Sequence, residues 1–154
     1  ANLDLSSIND FAFSDNSFTS LELSGNTALT IVQKGSFANN NFVDGVTFTN
    51  CPSLQSIEGG NNFGDGAFQQ AGISGGLDFS GLTALTTIDK NAFINNTNIT
   101  QFKFFDNSGC ILGSRVYPDF SGLLSACSNP DLSLEWNNSG FAITNSAEHI
   151  WKLP

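Results

Sequence analysis

Few residues in this chain could take part in bond-making chemistry, and their placement narrows the choice. His149 is the one histidine, and no Ser-His-Asp or Cys-His arrangement can be identified around it. The three cysteines, Cys51, Cys110 and Cys127, form no C-x-x-C pair, so zinc and redox chemistry have little support. Carboxylates are the remaining candidates. Glu22 and Asp78 each stand between two apolar residues and would face outward from strands. Two repeats apart, they would lie on the order of 10 Å from each other, near the wide end of inverting glycosidase geometry. Two solvated surface charges are the simpler reading, and the chain is expected not to be an enzyme. The stretch "GGNNFGDG" resembles a ligand loop only superficially. Phe63 stands where a calcium-binding glycine repeat needs its third Gly, and no Gly-Lys-Ser/Thr follows for a phosphate loop. It reads as a surface insertion, and no cofactor or metal is expected.

The composition excludes further classes. Charged residues make up 12% of the 154, the net charge is −9, and the only cations are Lys34, Lys90, Lys103, Arg115 and Lys152. No basic stripe is available to displace counterions from a phosphate backbone, so nucleic acid and anionic lipid surfaces are not expected as partners. No run approaches the roughly 18 apolar residues that a membrane-crossing helix needs. The chain starts at Ala1 with no charged-then-apolar leader, which points to a mature secreted product or an excised domain. Asn95, Asn98 and Asn137 open N-x-S/T sequons, acceptor sites for N-glycosylation if the source is a secreting eukaryote.

The residues that must position any site emerge from self-similarity. "FAFSDNSFTSLELSGNTALTI", "GSFANNNFVDGVTFTNCPSLQSI", "GAFQQAGISGGLDFSGLTALTTI" and "NAFINNTNITQFKFFDNSGCI" share one order of features. A Phe (Phe13, Phe37, Phe68, Phe93) is followed by a second apolar residue (Phe18, Phe42, Ile73, Ile99). An alternating pair comes next (Leu21/Leu23, Val46/Phe48, Leu77/Phe79, Phe102/Phe104), then a closing Ile (Ile31, Ile57, Ile88, Ile111). A degenerate fifth unit carries Phe120 and Leu132/Leu134. By subtraction of positions, Ile8 to Ile31 spans 23 residues, Ile31 to Ile57 spans 26 and Ile57 to Ile88 spans 31. An apolar-x-apolar pair is the signature of a short strand with one buried face. A unit with one such strand cannot bury that face alone, so copies must stack with their strands parallel. Gly and Asn supply the turns of the return path. Long 3.6-residue periodicity is lacking, which excludes a helical fold.

"SFTSLELSGNTAL" follows L-x-x-L-x-L-x-x-N with Phe18 in the first Leu position, and "ALTTIDKNAF" is similar to the L-x-x-I-x-x-x-A-F junction of BspA-like leucine-rich repeats. The resemblance covers roughly residues 8 to 111, with weaker traces to about residue 143. The sequence departs from that pattern where Phe replaces Leu or Ile, where the Cys after Ala-Phe is missing, and in its variable repeat length. The resemblance implies a curved, mainly β solenoid in a cell-surface or secreted protein that binds other macromolecules. The expected architecture is one domain over 1–154, a parallel-strand solenoid of about four to five leucine-rich-like repeats. Repeats would occupy about 1–111, and a degenerate repeat with an irregular C-terminal cap about 112–154.

The ends differ in character. The C-terminal segment gathers both Trp residues, the only Tyr and three of the four Pro residues, as an atypical cap would. A Cys110–Cys127 disulfide is expected there in an oxidising compartment. Cys51 aligns with Leu82 in an apolar column and is expected to be a buried free thiol. "ANLDLSSI" enters with Leu3 and Leu5 already alternating and no obvious cover, so the first strand is either an exposed edge or preceded by more protein. An open edge of that kind could support end-to-end self-association.

Outward strand positions remain for binding: Glu22, Thr47, Asp78, Lys103 and Ser133, flanked by Ser24, Thr49, Ser80, Phe105 and Glu135. Phe105 is the aromatic exception, an anchor for a partner or a contact with the cap. No T-x-T column repeats across strands, which argues against ice binding. The expected function is a non-catalytic extracellular or cell-surface module for adhesion or protein–protein contact, its partner a protein or glycan of the surface or matrix. The alternative is a structural subunit assembling end to end into a filament or surface layer.

Overall fold

The computed structural model describes residues 4–59, 62, 65–79, 81–89 and 91–104 and the strands 133–136 and 141–144, with only the backbone described in the strands from residue 100 onward. Among the described residues there is no helix, hence none long and apolar enough to cross a membrane. The chain builds β1 (Ser7–Ile8), β2 (Leu21–Glu22), β3 (Ile31–Val32), β4 (Val46–Thr47), β5 (Ser56–Ile57), β6 (Ser74–Phe79), β7 (Thr87–Ile88), β8 (Asn98–Phe104), β9 (Ser133–Trp136) and β10 (Phe141–Thr144).

Each repeat is a coil with two strands, where the sequence pattern implied one. A first wall stacks β1, β3, β5 and β7 in parallel. A second wall holds the alternating pairs: β2 beside β4, and then β6, β8, β9 and β10, with β10 antiparallel to β9. The first wall was invisible to periodicity because its two-residue strands carry a single inward side chain each.

The register of that wall corrects one column. Ile8, Val32, Ile57 and Ile88 are aligned and buried, whereas Ile31 pairs with Ser7 and Ser56 on the outward side. Two adjacent β-branched residues can be told apart only by their partners, and Val32 takes the inward place assigned to Ile31. By subtraction the coils then run 9–32, 33–57 and 58–88, with lengths of 24, 25 and 31 residues. The fifth unit shifts as well. Phe102 aligns with Leu134 and Phe104 with Trp136, so its pair is Leu134/Trp136 rather than Leu132/Leu134.

A third wall is made of turns, yet it is as regularly bonded as a sheet. The N–H groups of Phe13, Phe37 and Phe68 donate to Ser36, Ala67 and Ala92 of the next coil at 2.8, 2.8 and 2.7 Å. Those of Asp15, Asn39 and Gln70 donate to Ala38, Gln69 and Ile94 at 2.9 Å. Asp15, Asn39, Gln70 and Asn95, two residues after each Phe, all have φ between 49° and 65°. That left-handed step turns the chain back, which explains the Asn-rich composition there. At Gly35 a side chain would run into the ring of Phe11, which lies over it.

The core fills the space between the walls. Phe13, Phe37, Phe68 and Phe93 form the expected ladder, with centroids 5.4, 5.2 and 5.1 Å apart and near-parallel planes. Phe48 packs edge-on against Phe68 and Phe79. Phe42, Ile73 and Ile99 are buried as a second column. The first rungs depart from expectation: Phe13 and Phe18 are 43% and 44% exposed, because no described coil covers them on the side away from coil 2. Cys51 is a buried free cysteine, as expected, in the column of Asn26 and Leu82. Its thiol donates to the Leu23 carbonyl, and burial raises its pKa.

Candidate interaction surface

Among the described residues, the second wall presents the outward side chains that the sequence marked for function. In β2, the half-buried Leu21 and buried Leu23 hold the chain down by their alternation, leaving Glu22 exposed between them. Val46 and Phe48 do the same for Thr47, and Leu77 and Phe79 for Asp78. Glu22 is in direct register with Thr47, and Asp78 with Lys103. Lys103 in turn is in register with Glu135, so that Glu135 rather than Ser133 continues this position along the ladder. Phe105, Cys110, Cys127 and Asn137 lie outside the described residues, as do Ile111 and Phe120.

The row is not continuous. β4 and β6 lie next to each other without forming a ladder, so the wall is split between coils 2 and 3. The split adjoins coil 3, the longest, whose insertion lies between Ile57 and Phe68, and the β6–β8 ladder on its other side has a register irregularity at Gly75/Gly76. Glu22 and Asp78 therefore stand in separate ladders, Glu22 beside Thr47 and Asp78 beside Lys103.

The electrostatics of Glu22 oppose acid catalysis. The polar side chains of Ser24 and Thr47 stand beside its carboxylate, and the Ser24 N–H donates to its Oε1 at 2.8 Å. Together they hold its carboxyl below the ordinary value, whereas a general acid needs the opposite shift. Among the described residues no group of His, Cys, Asp and Glu is arranged to hold a metal ion.

Two polar features escaped the sequence reading. Asn40 and Asn96 are buried, three residues after Phe37 and Phe93. Asn40 donates to the carbonyls of Phe13 and Phe37 at 2.8 and 3.0 Å and accepts from Phe18 N–H. Asn96 donates to Phe68 and Phe93 at 2.6 and 2.8 Å and accepts from Ile73 N–H. Each amide thus staples its coil to the preceding one. An F-x-x-N spacing at Asn16, Asn40 and Asn96, with Ala71 in the third coil, was the available signal. The second feature is Glu58, half-buried near Asp10, Asp89 and Lys34. Burial first, then repulsion from the two aspartates, pushes its carboxyl up, opposed by a hydrogen bond and the charge of Lys34.

The sequons are presented differently. Asn95 and Asn98 are both exposed, but Asn95 sits in the left-handed turn, and Asn98 opens β8.

A family model described as the BspA type leucine rich repeat region matches six copies, over residues 2–48 and 43–117. No curated protein and no solved structure gives a significant match.

Proposed function

The chain belongs to the BspA-type leucine-rich repeat family, and on that premise we propose that it is a repeat module for protein interaction which engages its partner through the outward side chains of the second wall. The observation that carries this reading is the contrast within one set of strands. Leu23, Val46, Phe48, Leu77 and Phe79 are all buried, while Glu22, Thr47 and Asp78 between them are exposed and chemically varied. Exposed side chains held on a rigid hydrogen-bonded frame can contact a partner without much further ordering cost. The module is non-catalytic and works at the cell surface or in the extracellular matrix, on a protein or a glycan, with Lys103, in register with Asp78, and Phe105 as further contact residues.

A binding survey against matrix proteins and glycans tests the proposal, with Glu22→Lys, Thr47→Arg and Asp78→Lys as probes. A partner whose affinity falls at least about ten-fold in two of the three variants supports it. A partner that binds all three variants as well as the parent would place the interface elsewhere.

End-to-end assembly is the second reading, favoured by the exposed Phe11, Phe13 and Phe18 at the N-terminal end of the stack. It is weaker as a head-to-tail scheme, because the last described strand of the second wall, β10, is antiparallel to β9. Sedimentation showing only monomers across concentration would remove it.

A further inference from the structure

The seam between β4 and β6 is a local break in an otherwise joined pair of coils. Before it, the Phe42 N–H donates to the Ala71 carbonyl at 2.8 Å, and after it the Thr86 N–H donates to the Gln55 carbonyl at 2.9 Å. Beneath it, the Phe48 and Phe79 rings lie 5.3 Å apart, no farther than Phe13 from Phe37 at 5.4 Å in the unbroken ladder. Coils 2 and 3 are thus held on both sides of the seam and from below, while the two strands above form no ladder.

The groups that face the seam follow from the ladder next to it. The N–H groups of Leu21 and Leu23 donate to the carbonyls of Gly45 and Thr47 at 3.0 Å, and Leu21 is in register with Val46. A parallel ladder uses alternate residues of a strand on each side, so the N–H groups of Val46 and Phe48 point away from β2 and toward β6. The equivalent acceptors are the carbonyls of Gly76 and Asp78. Among the described residues, however, no acceptor meets the N–H of Val46 or of Phe48. Both residues are buried, and donors in such places are nearly always paired in folded proteins.

The seam side of β6 is weak where it begins. Gly75 and Gly76 bring no side chains to hold an extended strand, and Gly75 has φ 81° with open space where a side chain would stand. The Ser74 hydroxyl ties the start of β6 to the Val43 carbonyl at 3.0 Å, a bond outside any ladder. In β8 the residue in register with Gly76 is Gln101.

We propose that the seam is a closable joint in the second wall. β4 and β6 pass between the split arrangement and a laddered one, in which Val46 and Phe48 donate to the carbonyls of Gly76 and Asp78, and a partner that touches Thr47 and Asp78 together draws the joint shut. The last step rests on the reading of this wall as the binding face, whereas the joint itself does not. Each half of the wall stays rigid, and the joint sets the spacing between Thr47 on one half and Asp78 on the other. Affinity then falls with the fraction of molecules in which that spacing is wrong for the partner.

Two pairs of substitutions in the full chain test the joint with no partner present. Glu22→Cys with Thr47→Cys spans an existing ladder, and Thr47→Cys with Asp78→Cys spans the seam. Under mild oxidation the seam pair is expected to cross-link, but more slowly than the ladder pair, because closure must first bring its Cα atoms to disulfide range. Once it is linked, amide exchange of Val46 and Phe48 should slow by about ten-fold or more relative to the same variant reduced, with Leu21 and Leu23 unchanged. Gly76→Gln, which gives β6 the residue type of its register partner in β8, should slow the same two amides without a cross-link. A seam pair that never links while the ladder pair does would make the gap fixed and overturn the proposal. So would a parent chain in which Val46 and Phe48 are already as protected as Leu21 and Leu23, since the wall would then be continuous. Unchanged exchange of both amides in the linked and Gly76→Gln chains would remove the two hydrogen bonds that define the closed state. A partner indifferent to Thr47 and Asp78 would refute the binding row instead, and leave the cross-linking and exchange results standing.

Discussion

Phe68→Ala should be among the most damaging single truncations in the chain, and the structure says why it should exceed the same change at Phe13. The Phe68 ring is fully buried. It lies between Phe37 at 5.2 Å and Phe93 at 5.1 Å, with Phe48 edge-on at 5.8 Å. Removing it deletes three ring contacts and leaves a void whose walls are fixed by ladders on both sides, so it cannot readily collapse. A cost of about 3–5 kcal/mol follows, with each lost ring pair contributing roughly 0.5–1.5 kcal/mol within that figure. Phe13 has one stacked neighbour and is 43% exposed. Its truncation should cost only about 1–1.5 kcal/mol, roughly half of a full phenyl burial. Urea unfolding followed by far-ultraviolet circular dichroism measures both. A Phe68→Ala cost below about 1 kcal/mol, or equal costs at the two sites, would refute the reasoning that two-sided stacking supplies the difference.

Three further outcomes are expected. Asn96→Ala strips partners from two carbonyls and one N–H at a buried site, and should cost about 2–4 kcal/mol in the same unfolding assay, against less than about 1 kcal/mol for the exposed Asn16. Ser36→Ala should stabilise the chain by about 1 kcal/mol, because the buried Ser36 hydroxyl has no hydrogen-bond partner and the equivalent positions, Ala67 and Ala92, already carry methyl groups. Glu22 and Glu58 should give pH dependences of opposite sign. The Glu22 contribution is complete above the ordinary glutamate value and lost as pH falls through its lowered folded value, so Glu22→Gln should flatten the acid limb of stability. The Glu58 contribution is largest in acid and lost as pH rises from the ordinary value of 4.5 through its raised one, so Glu58→Gln should raise the neutral-pH urea midpoint relative to the parent.

The Phe column was legible in the sequence because large aromatic residues at a constant place in each repeat leave little else to fit. The outward positions of Glu22, Thr47 and Asp78 were legible for the same reason, since each stands between two apolar neighbours and a strand alternates. The first wall was not legible. A strand of two residues has no period, and the choice between Ile31 and Val32 depends on which one faces Ser7 and Ser56 across the ladder. Nor were Asn40 and Asn96, because in a chain this rich in Asn a side chain that bonds across coils looks like one that merely favours a turn. The split between β4 and β6 was missed because coil length was read as loop tolerance, without its consequence for the wall beside the insertion.

These differences explain where function can reside in such a stack. Backbone ladders join successive coils through the first wall and the turn wall, and through the second wall except between β4 and β6, and apolar columns fill the space they enclose. A change at an inward position is therefore felt by two neighbouring coils, and so is a change at the Asn staples. Outward positions of the second wall carry less of that burden: the same place in successive coils holds Glu22, Thr47 and Asp78, two acids and a hydroxyl, on the same kind of backbone. Stability tolerates that variety because an exposed side chain between two buried ones contributes little to the core. Binding, by contrast, is sensitive to it, since charge and hydrogen-bonding capacity at a rigid surface decide which partner is accepted. Substitutions along this row should therefore change the choice of partner while leaving the unfolding midpoint nearly where it was, and a row whose charge reversals destabilised the fold as much as Asn96→Ala would be structural instead.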